Sequence, residues 1–398
     1  MFVYLINILS ICIYALMFCR GEQTRLKRSF FLTLCLIQCM IIACIRFDIG
    51  TDYRWYANGF MSMAESGFSE MSYYDWEIGF VFLNKLVGLF TNNYFVFIGI
   101  CAALSLSGTF YLIWRYSKDP FVSVFLFLNT YLFYLDLNYV RQSIAMSIMC
   151  FAYGFLRDRK FWRFLLLCIL AATFHLPVLY LIPVYFFTFI KINLKTLPIY
   201  AAGLIVYFAV SDPIVKFVFS HVHTEYENSR FIKLGVYYYY AIYPLILCVG
   251  MVALAFYLKF RMSKELNVLM HLTLMMGFWQ IVMTKHALFE RFSYYTMPFL
   301  LIAVPEALFA FGDKFSESSN AKLSQRYGDD KDGLYAAKRR SDKKIARVVT
   351  FVGAAVCILA FAYNMMGLIV PDKGVHGVLP FNDIFGLGIP DIDSWFKR

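Results

Sequence analysis

Residues 138–187 read NYVRQSIAMSIMCFAYGFLRDRKFWRFLLLCILAATFHLPVLYLIPVYFF. In this stretch, apolar blocks alternate with short polar clusters such as RDRK. Each apolar block has about 20 residues or somewhat fewer, which is long enough to cross a bilayer as a helix. The blocks lack the strict apolar–polar alternation of barrel strands, so they predict membrane-spanning helices.

The same pattern extends over the whole chain of 398 residues, which is 61% hydrophobic and 16% charged. Soluble globular proteins are roughly half apolar and about a quarter charged. The sequence therefore predicts an all-α polytopic membrane protein, with residues 1–398 in a single transmembrane domain. We expect about 12 transmembrane helices. Their approximate bounds are 2–19, 29–45, 93–114, 120–136, 139–156, 163–175, 176–190, 197–212, 236–258, 265–283, 292–311 and 347–370.

The basic residues predict an orientation. Most of the 37 Lys and Arg residues fall in clusters between the expected spans. Because the cytoplasmic loops of membrane proteins are enriched in these residues, we expect the clusters on the cytoplasmic side. The clusters are 20–28, 115–119, 157–163, 191–195, 259–264 and 312–347. The net charge of +11 then reflects topology, and no nucleic-acid partner is expected.

The longest cluster, 312–347, is polar and poor in aromatic residues, so it is expected to form a flexible, basic cytoplasmic loop. Both chain termini are expected on the opposite, extracytoplasmic side. Three longer segments are expected there too: a loop at 46–92 with an interfacial helix near 77–91, a loop at 211–236, and a tail at 371–398.

Charged residues also gather on this extracytoplasmic side. Arg46 ends the second expected span, Arg141 begins the fifth, His175 ends the sixth, and residues 285–291 join the tenth to the eleventh. A charge at the membrane boundary costs little free energy. Arg141 differs, because it stands beside Gln142 between apolar stretches and would be costly against lipid. We therefore expect Arg141 to face a polar cavity.

Several arginines around a wet pocket indicate an anionic ligand, most simply a phosphate or diphosphate. The guanidinium group is always charged and can bind phosphate oxygens through two donors. At a membrane surface, a diphosphate indicates a lipid-linked sugar donor. Asp52, Glu77, Glu290 and His175 are candidate bases for the acceptor hydroxyl.

No cofactor and no metal site are expected. The sequence has no Gly-rich phosphate loop, HExxH or GxSxG motif. Its ten cysteines lie within or beside apolar blocks without CxxC spacing, as small buried hydrophobes do. Asp48 and Asp52, four residues apart, are only a weak indication of a divalent cation.

Four elements together resemble the EpsG-like, Wzy-type polysaccharide polymerases. RFDIGTDYRWY at 46–56 is similar to their GTDY element, and residues 138–187 resemble their longest shared block, with an N-x(2)-RQ start and a later FH pair. ERFSYYTMPFL at 290–300 resembles a late arginine element. GVLPFNDI at 377–384 is similar to an LPY-like tail.

The resemblance implies a polymerase for O-antigen, capsule or exopolysaccharide in the bacterial inner membrane, multi-pass and with its active site facing the periplasm. It also implies a fold resembling the GT-C-type membrane glycosyltransferases. Such an enzyme is an inverting glycosyltransferase that needs no metal. It moves a growing glycan from undecaprenyl diphosphate onto an undecaprenyl-diphosphate-linked oligosaccharide repeat unit. Membrane lipids and a chain-length regulator are the other expected partners.

The residues that match the family elements are Arg46, Asp52, Arg141, His175 and Arg291. On this interpretation Arg141 and Arg291 hold diphosphate, Arg46 and Arg54 neutralise the second carrier or position the loop, and Asp52 or His175 is the base. Gln142 and Lys285 complete the expected substrate-binding set.

Two other functions remain open. A flippase for the same lipid-linked oligosaccharide would place ionisable groups near the bilayer midplane and show repeat symmetry, and neither feature is evident. A polysaccharide–lipid ligase would share the chemistry and differ in its acceptor, and the order of the motifs favours the polymerase. A membrane acyltransferase is disfavoured, because His175 is expected outside.

Overall fold

A computed structural model describes residues 1–19, 21, 24–66, 75–221, 239–327, 331–370 and 375–381. The described residues form helices and no strand, which confirms the prediction of an all-α fold. The α-helices are α1 Phe2–Phe18, α2 Arg25–Ile45, α3 Tyr53–Glu65, α4 Ile78–Gly88, α5 Tyr94–Tyr116, α6 Pro120–Asn129, α7 Leu132–Asn138, α8 Val140–Arg157, α9 Phe161–Ala172, α10 Leu181–Phe187, α11 Leu197–His221, α12 Tyr239–Tyr257, α13 Lys264–Val282, α14 Glu290–Tyr294, α15 Leu300–Tyr327 and α16 Lys331–Ile369. Short 3₁₀ turns cover Leu176–Tyr180, Ala287–Phe289, Met297–Phe299 and Val375–Gly377.

The chain divides into two compact units, and the single transmembrane domain expected from the sequence stays a prediction. The first unit contains Met1–Tyr116, Val124–Phe187 and Tyr363–Arg398. The second contains Ser117–Ser123 and Thr188–Ala362. The GTDY element, the 138–187 block and the described part of the tail all belong to the first unit, and the late arginine element belongs to the second.

Within the described residues, four helical segments are long and apolar enough to cross a membrane: Arg25–Ile45, Tyr94–Tyr116, Leu197–Phe217 and Lys331–Ile369. Two bent pairs raise the number to six if each pair is one span: Pro120–Asn129 with Leu132–Asn138, bent by 53°, and Ala287–Tyr294 with Met297–Tyr327, bent by 44°. The protein is therefore a polytopic membrane protein.

The expected number of about 12 spans stays a prediction. The remaining apolar helices are shorter, and α9 illustrates the reason. Its 12 residues rise only about 18 Å, whereas the hydrocarbon core of a bilayer is roughly 30 Å thick. A single helix of this length does not cross the bilayer by itself, although the 3₁₀ turn that follows α9 can extend the segment further through the membrane.

The core of the first unit forms where α5 packs against α2 and α8. At the α5–α8 contact Gly108 allows a close approach, since a Cβ there would lie 2.2 Å from the carbonyl oxygen of Ser147. The amide of Gly108 donates to the Ser147 hydroxyl at 2.9 Å. Small residues permit such backbone contact between helices in a membrane, where polar bonds also link them.

The segments between the expected spans are more helical than predicted. The 46–92 segment contains α4 where an interfacial helix was expected near 77–91, and also α3, which was not expected. In 211–236, α11 continues to His221 and residues 222–236 lie outside the described residues. Of the 371–398 tail, the structure describes 375–381.

The prediction of a flexible loop at 312–347 was wrong in its local structure. α15 continues to Tyr327, and α16 begins at Lys331, so both described parts of the segment are helical. The segment is rich in Lys, Arg and Ala, which have high helix propensity. Lys314 pairs with Glu317 at 2.7 Å, and the Ser319 and Ser341 hydroxyls lie 2.6 Å apart across the two helices. Low hydrophobicity alone does not distinguish a solvated helix from a flexible loop.

Candidate functional site

In the first unit, the loop between α2 and α3 is joined to the tail. The amide of Gly50 donates to the Gly377 carbonyl at 3.1 Å, and the amide of Thr51 donates to the His376 carbonyl at 3.2 Å. Gly50 has a φ of +97°, which favours glycine, and a Cβ there would lie 2.9 Å from Oδ1 of Asn138. The tail thus holds the GTDY element in place.

Asn138, the last residue of α7, joins the same loop to the turn before α8. Its Oδ1 accepts a hydrogen bond from the amide of Asp52 at 3.1 Å, and its Nδ2 donates to the Thr51 hydroxyl at 3.1 Å. The Asp52 carboxylate accepts a bond from the Thr51 hydroxyl at 3.0 Å. Three of the family-like elements therefore meet around Asn138: the GTDY loop, the N-x(2)-RQ sequence and the tail.

Arg54 is paired at the surface of this loop. Its Nη2 lies 2.5 Å from Oδ2 of Asp48, and its Nε lies 2.9 Å from Oδ1 of the same carboxylate. The hydrogen bond to Asp48 raises the pKa of Arg54 above its usual value. The Arg54 side chain is 56% exposed, so an anion from solution can reach it. Asp48 is engaged with Arg54 instead of forming a cation site with Asp52.

Arg141 lies at the centre of a second cluster. Its Nη1 lies 2.5 Å from Oε2 of Glu77, and the Tyr56 hydroxyl accepts another hydrogen bond from its guanidinium. The guanidinium carbon lies 5.0 Å from the ring centre of Trp55 and 5.9 Å from that of Trp76. Such contacts with indole rings stabilise a cation. The Arg141 side chain is 15% exposed, so it reaches the surface in spite of these partners.

Tyr56 belongs to this cluster through its hydroxyl. Burial raises its pKa above the usual value for tyrosine, since the phenolate is disfavoured away from water, and nearby Arg141 opposes this rise. Asp52 acts on Tyr56 as well, in the direction of a higher pKa. Tyr56 is therefore a neutral phenol at physiological pH, with Arg141 and Asp52 as its charged neighbours.

Glu77 connects this cluster to the turn that carries His175. The Glu77 Oε1 accepts a hydrogen bond from the amide of Leu176 at 3.2 Å. Two residues further on, the amide of Gly79 donates to the Thr173 carbonyl at 2.7 Å. A Cβ on Gly79 would lie 2.3 Å from the Thr173 hydroxyl oxygen, so glycine is required for this contact. His175 follows α9 in the same turn and is buried.

Arg46 is placed differently from the expected substrate-binding arginine. It is only 1% exposed, and no acceptor among the described residues bonds its Nε or Nη1. Tyr53, Tyr94 and Asp136 interact with it electrostatically. Its guanidinium is closed off from solvent in this structure, and Gln142 is buried as well.

The other predicted site residues, Lys285 and Arg291, belong to the second unit. Lys285 Nζ donates to the Phe208 carbonyl and the Ser211 hydroxyl, both at 3.0 Å, and lies 3.1 Å from Oδ1 of Asp212. His286 bridges Asp212 and Tyr207. The neighbouring Glu290 accepts a short hydrogen bond from the Tyr294 hydroxyl and interacts electrostatically with Arg291.

The sequence indicated Arg141 but not most of the residues that surround it and the GTDY loop. Trp55, Trp76, Tyr56 and Asn138 were not predicted as site residues, although they lie in or beside the quoted elements. Glu77 was one of four candidate bases, and nothing in the sequence linked it to Arg141. Among the described residues no group of three or more His, Cys, Asp or Glu side chains could hold a metal ion.

A family sequence model matches most of the elements described above. The sequence model of the EpsG family matches residues 28–322, which include the GTDY loop, the Arg141 cluster and the late arginine element. No curated protein and no solved structure matches the chain significantly. The family match covers well over half of the sequence. The chain therefore belongs to the EpsG family.

Proposed function

We propose that the protein is a polysaccharide polymerase, an inverting membrane glycosyltransferase that transfers a growing glycan from undecaprenyl diphosphate to a lipid-linked repeat unit. The family supports a polymerase-like role in polysaccharide biosynthesis. The observation that carries the proposal is the Arg141 cluster, in which a surface-reaching arginine lies beside a carboxylate and two indole rings.

The proposed reaction needs three functions from the protein. An arginine must stabilise the diphosphate as it leaves, and Arg141 can do so through its planar set of donors. A base must take the proton of the acceptor hydroxyl, and Asp52, Glu77 and His175 all belong to the first unit. Binding surfaces must orient both sugars, because orientation contributes a large part of the rate in bimolecular transfers.

Trp55 and Trp76 are suited to the third function. Trp55 is 49% exposed, and the two indole rings lie 4.8 Å apart in an edge-on arrangement. An exposed indole offers a large apolar face with a polar N–H at its edge. We infer that the sugar next to the diphosphate packs against Trp55 while its phosphates approach Arg141. Gly59 permits this arrangement, because a Cβ there would lie 2.1 Å from Trp76.

The proposed location is the bacterial inner membrane, with the Arg141 cluster facing the periplasm, where lipid-linked repeat units are polymerised. The apolar helices support a membrane location, and the distribution of basic residues supports the orientation. The proposed partners are undecaprenyl-diphosphate-linked oligosaccharides, membrane lipids and a chain-length regulator.

Reconstitution tests the proposal. The purified protein is placed in proteoliposomes with a lipid-linked repeat unit as the sole substrate, without nucleotide sugar. We expect a ladder of glycans that differ by one repeat unit, with release of undecaprenyl diphosphate. Protein-free liposomes are the control. Movement of the substrate across the bilayer without a ladder would identify a transporter and contradict the proposal.

A further inference from the structure

Arg141 already has a counterion where it is expected to bind a diphosphate. Glu77 is bonded to Nη1 at 2.5 Å, and both side chains are mostly buried, at 15% and 21% exposure. A carboxylate and a phosphate oxygen make similar charge-assisted bonds to a guanidinium. A diphosphate that reaches Arg141 therefore competes with Glu77 for the same donors.

Glu77 is held so that it can lose this partner without leaving the site. Its second oxygen, Oε1, accepts a hydrogen bond from the backbone amide of Leu176. Two residues after Glu77, the amide of Gly79 donates to the Thr173 carbonyl at 2.7 Å and fixes the backbone there. Release of Arg141 therefore leaves the carboxylate in place, with Oε2 available to a new donor.

Arg141 can likewise change partners without becoming isolated. Tyr56 accepts one of its hydrogen bonds, and the indole rings of Trp55 and Trp76 lie beside its cationic plane. Nε of Arg141 is buried and has no hydrogen-bond partner among the described residues. The guanidinium thus has unused donor capacity and a second set of stabilising contacts. Both members of the ion pair are prepared for exchange.

We propose that Glu77 is the general base of the glycosyl transfer, and that the arriving diphosphate activates it by taking Arg141 away from it. This inference rests on the proposed polymerase function. Before donor binding Oε2 of the carboxylate is occupied by its bond to Arg141. After donor binding Arg141 bonds the diphosphate oxygens and Oε2 of Glu77 faces the acceptor hydroxyl. Deprotonation is thereby coupled to the presence of a donor.

The bonds balance in one displacement. The acceptor hydroxyl oxygen forms a bond to the anomeric carbon of the donor glycan, and its proton passes to Glu77 Oε2. The bond between the anomeric carbon and the diphosphate oxygen breaks, and the electron pair leaves with undecaprenyl diphosphate, which Arg141 stabilises. Glu77 returns its proton to water, and Arg141 pairs with it again when the carrier departs.

Asp52 fits this role less well. Its carboxylate accepts a bond from Thr51, and its backbone amide donates to Asn138, so the residue holds the GTDY loop against the end of α7. Glu77 is in direct contact with Arg141. We therefore assign Asp52 as a positioning residue.

The test uses Glu77→Gln, which keeps the size of the side chain and an oxygen for the Leu176 amide but cannot accept the proton. We expect ladder formation to fall roughly 10²- to 10⁴-fold, the usual contribution of a general base. Binding of undecaprenyl diphosphate is measured separately, by native mass spectrometry of the full-length protein. We expect binding to tighten by roughly two- to fivefold, because the competing carboxylate is gone.

The matched control is Asp158→Asn. Asp158 pairs with Arg157 at the opposite end of α8, with Nε and Oδ1 2.9 Å apart. The variant therefore removes the carboxylate partner of another arginine on the helix that carries Arg141. We expect it to leave both measurements unchanged. Glu77→Asp is the second variant. It keeps a carboxylate and is expected to retain more ladder formation than Glu77→Gln, a rescue that a purely structural role would not give.

The outcomes separate the two proposals. If the wild-type protein binds undecaprenyl diphosphate but makes no ladder, the polymerase proposal fails, and the role of Glu77 as its base fails with it. If the wild type makes a ladder, equal activity of Glu77→Gln overturns only the further inference. Parallel loss of diphosphate binding and activity in Glu77→Gln also overturns it, because that result would make Glu77 a structural support for Arg141.

Discussion

At the scale of single residues, Arg141 combines charge with a planar shape that lysine does not reproduce. Arg141→Lys keeps the charge but loses the forked donors and the flat contact with Trp55. We expect ladder formation and diphosphate binding to fall by roughly ten- to a hundredfold, as for loss of a hydrogen bond to a charged group worth ~1.5–3 kcal/mol. The assay is the proteoliposome ladder, with binding measured in parallel.

Arg157→Lys is the matched control for this prediction. Arg157 lies on the same helix, pairs with Asp158, and stands 5.1 Å from the ring centre of Tyr116. The two substitutions are therefore chemically equal and differ in position. Equal activity of the two variants would mean that Arg141 does not bind the diphosphate.

Gly79 provides a second prediction at this scale. In Gly79→Ala the new Cβ would lie 2.8 Å from the Thr173 carbonyl oxygen, which is backbone and cannot rotate away. We expect α4 to shift from the His175 turn, with a lower midpoint of thermal unfolding and less ladder formation. Gly250→Ala is the control, since no atom lies within 4 Å of a Cβ there. That variant should gain up to about 1 kcal/mol in helix propensity.

At the scale of elements, the part of the tail that docks on the GTDY loop carries a half-buried histidine, His376. Burial lowers the pKa of His376 to about 4, below its usual value of 6.5. The unfolded chain therefore binds the proton more readily, and stability present above about pH 6.5 is lost as the pH falls toward 4. We expect the wild type to lose up to ~1.4 kcal/mol per pH unit in this window, measured by thermal unfolding at pH 7 and pH 5.

His376→Asn isolates this effect. Asparagine tolerates the φ of +55° at this position and does not titrate. Its unfolding midpoint should change less between pH 7 and pH 5 than that of the wild type. Identical slopes for the two proteins would show that another group causes the acid sensitivity.

The elements also show what the sequence can predict. The apolar blocks gave the positions of α2, α5, α8 and α13 closely, because lipid-compatible helices have a strong compositional signal. The helices at 312–327 and 331–347 were missed, because helix propensity on a polar surface has no apolar pattern to reveal it. The site was only partly predictable for a related reason. Arg141 stands out in the sequence because it is a charge within an apolar segment. Its pairing with Glu77 joins residues 64 positions apart, so no local sequence pattern indicates it.

At the scale of the whole molecule, the orientation decides which solution the Arg141 cluster meets. On the orientation predicted from the basic residues, the 312–347 segment lies in the cytoplasm and the residues before α5 lie on the other side. Ala321 and Asn92 are exposed positions in these two regions. Each is changed to cysteine in a protein whose native cysteines have been replaced by alanine.

A membrane-impermeant maleimide then reports the topology in spheroplasts. We expect Asn92→Cys to react in intact spheroplasts and Ala321→Cys to react only after permeabilisation. Asn92 lies two residues before α5, and the buried Tyr94 at the start of α5 packs against Tyr53 of the GTDY element. The label on Asn92→Cys therefore also reports the side of the predicted site. The reverse pattern would put Arg141 and Glu77 in the cytoplasm. The donor would then have to be a lipid-linked sugar before its translocation, and the proposed periplasmic polymerisation would be wrong.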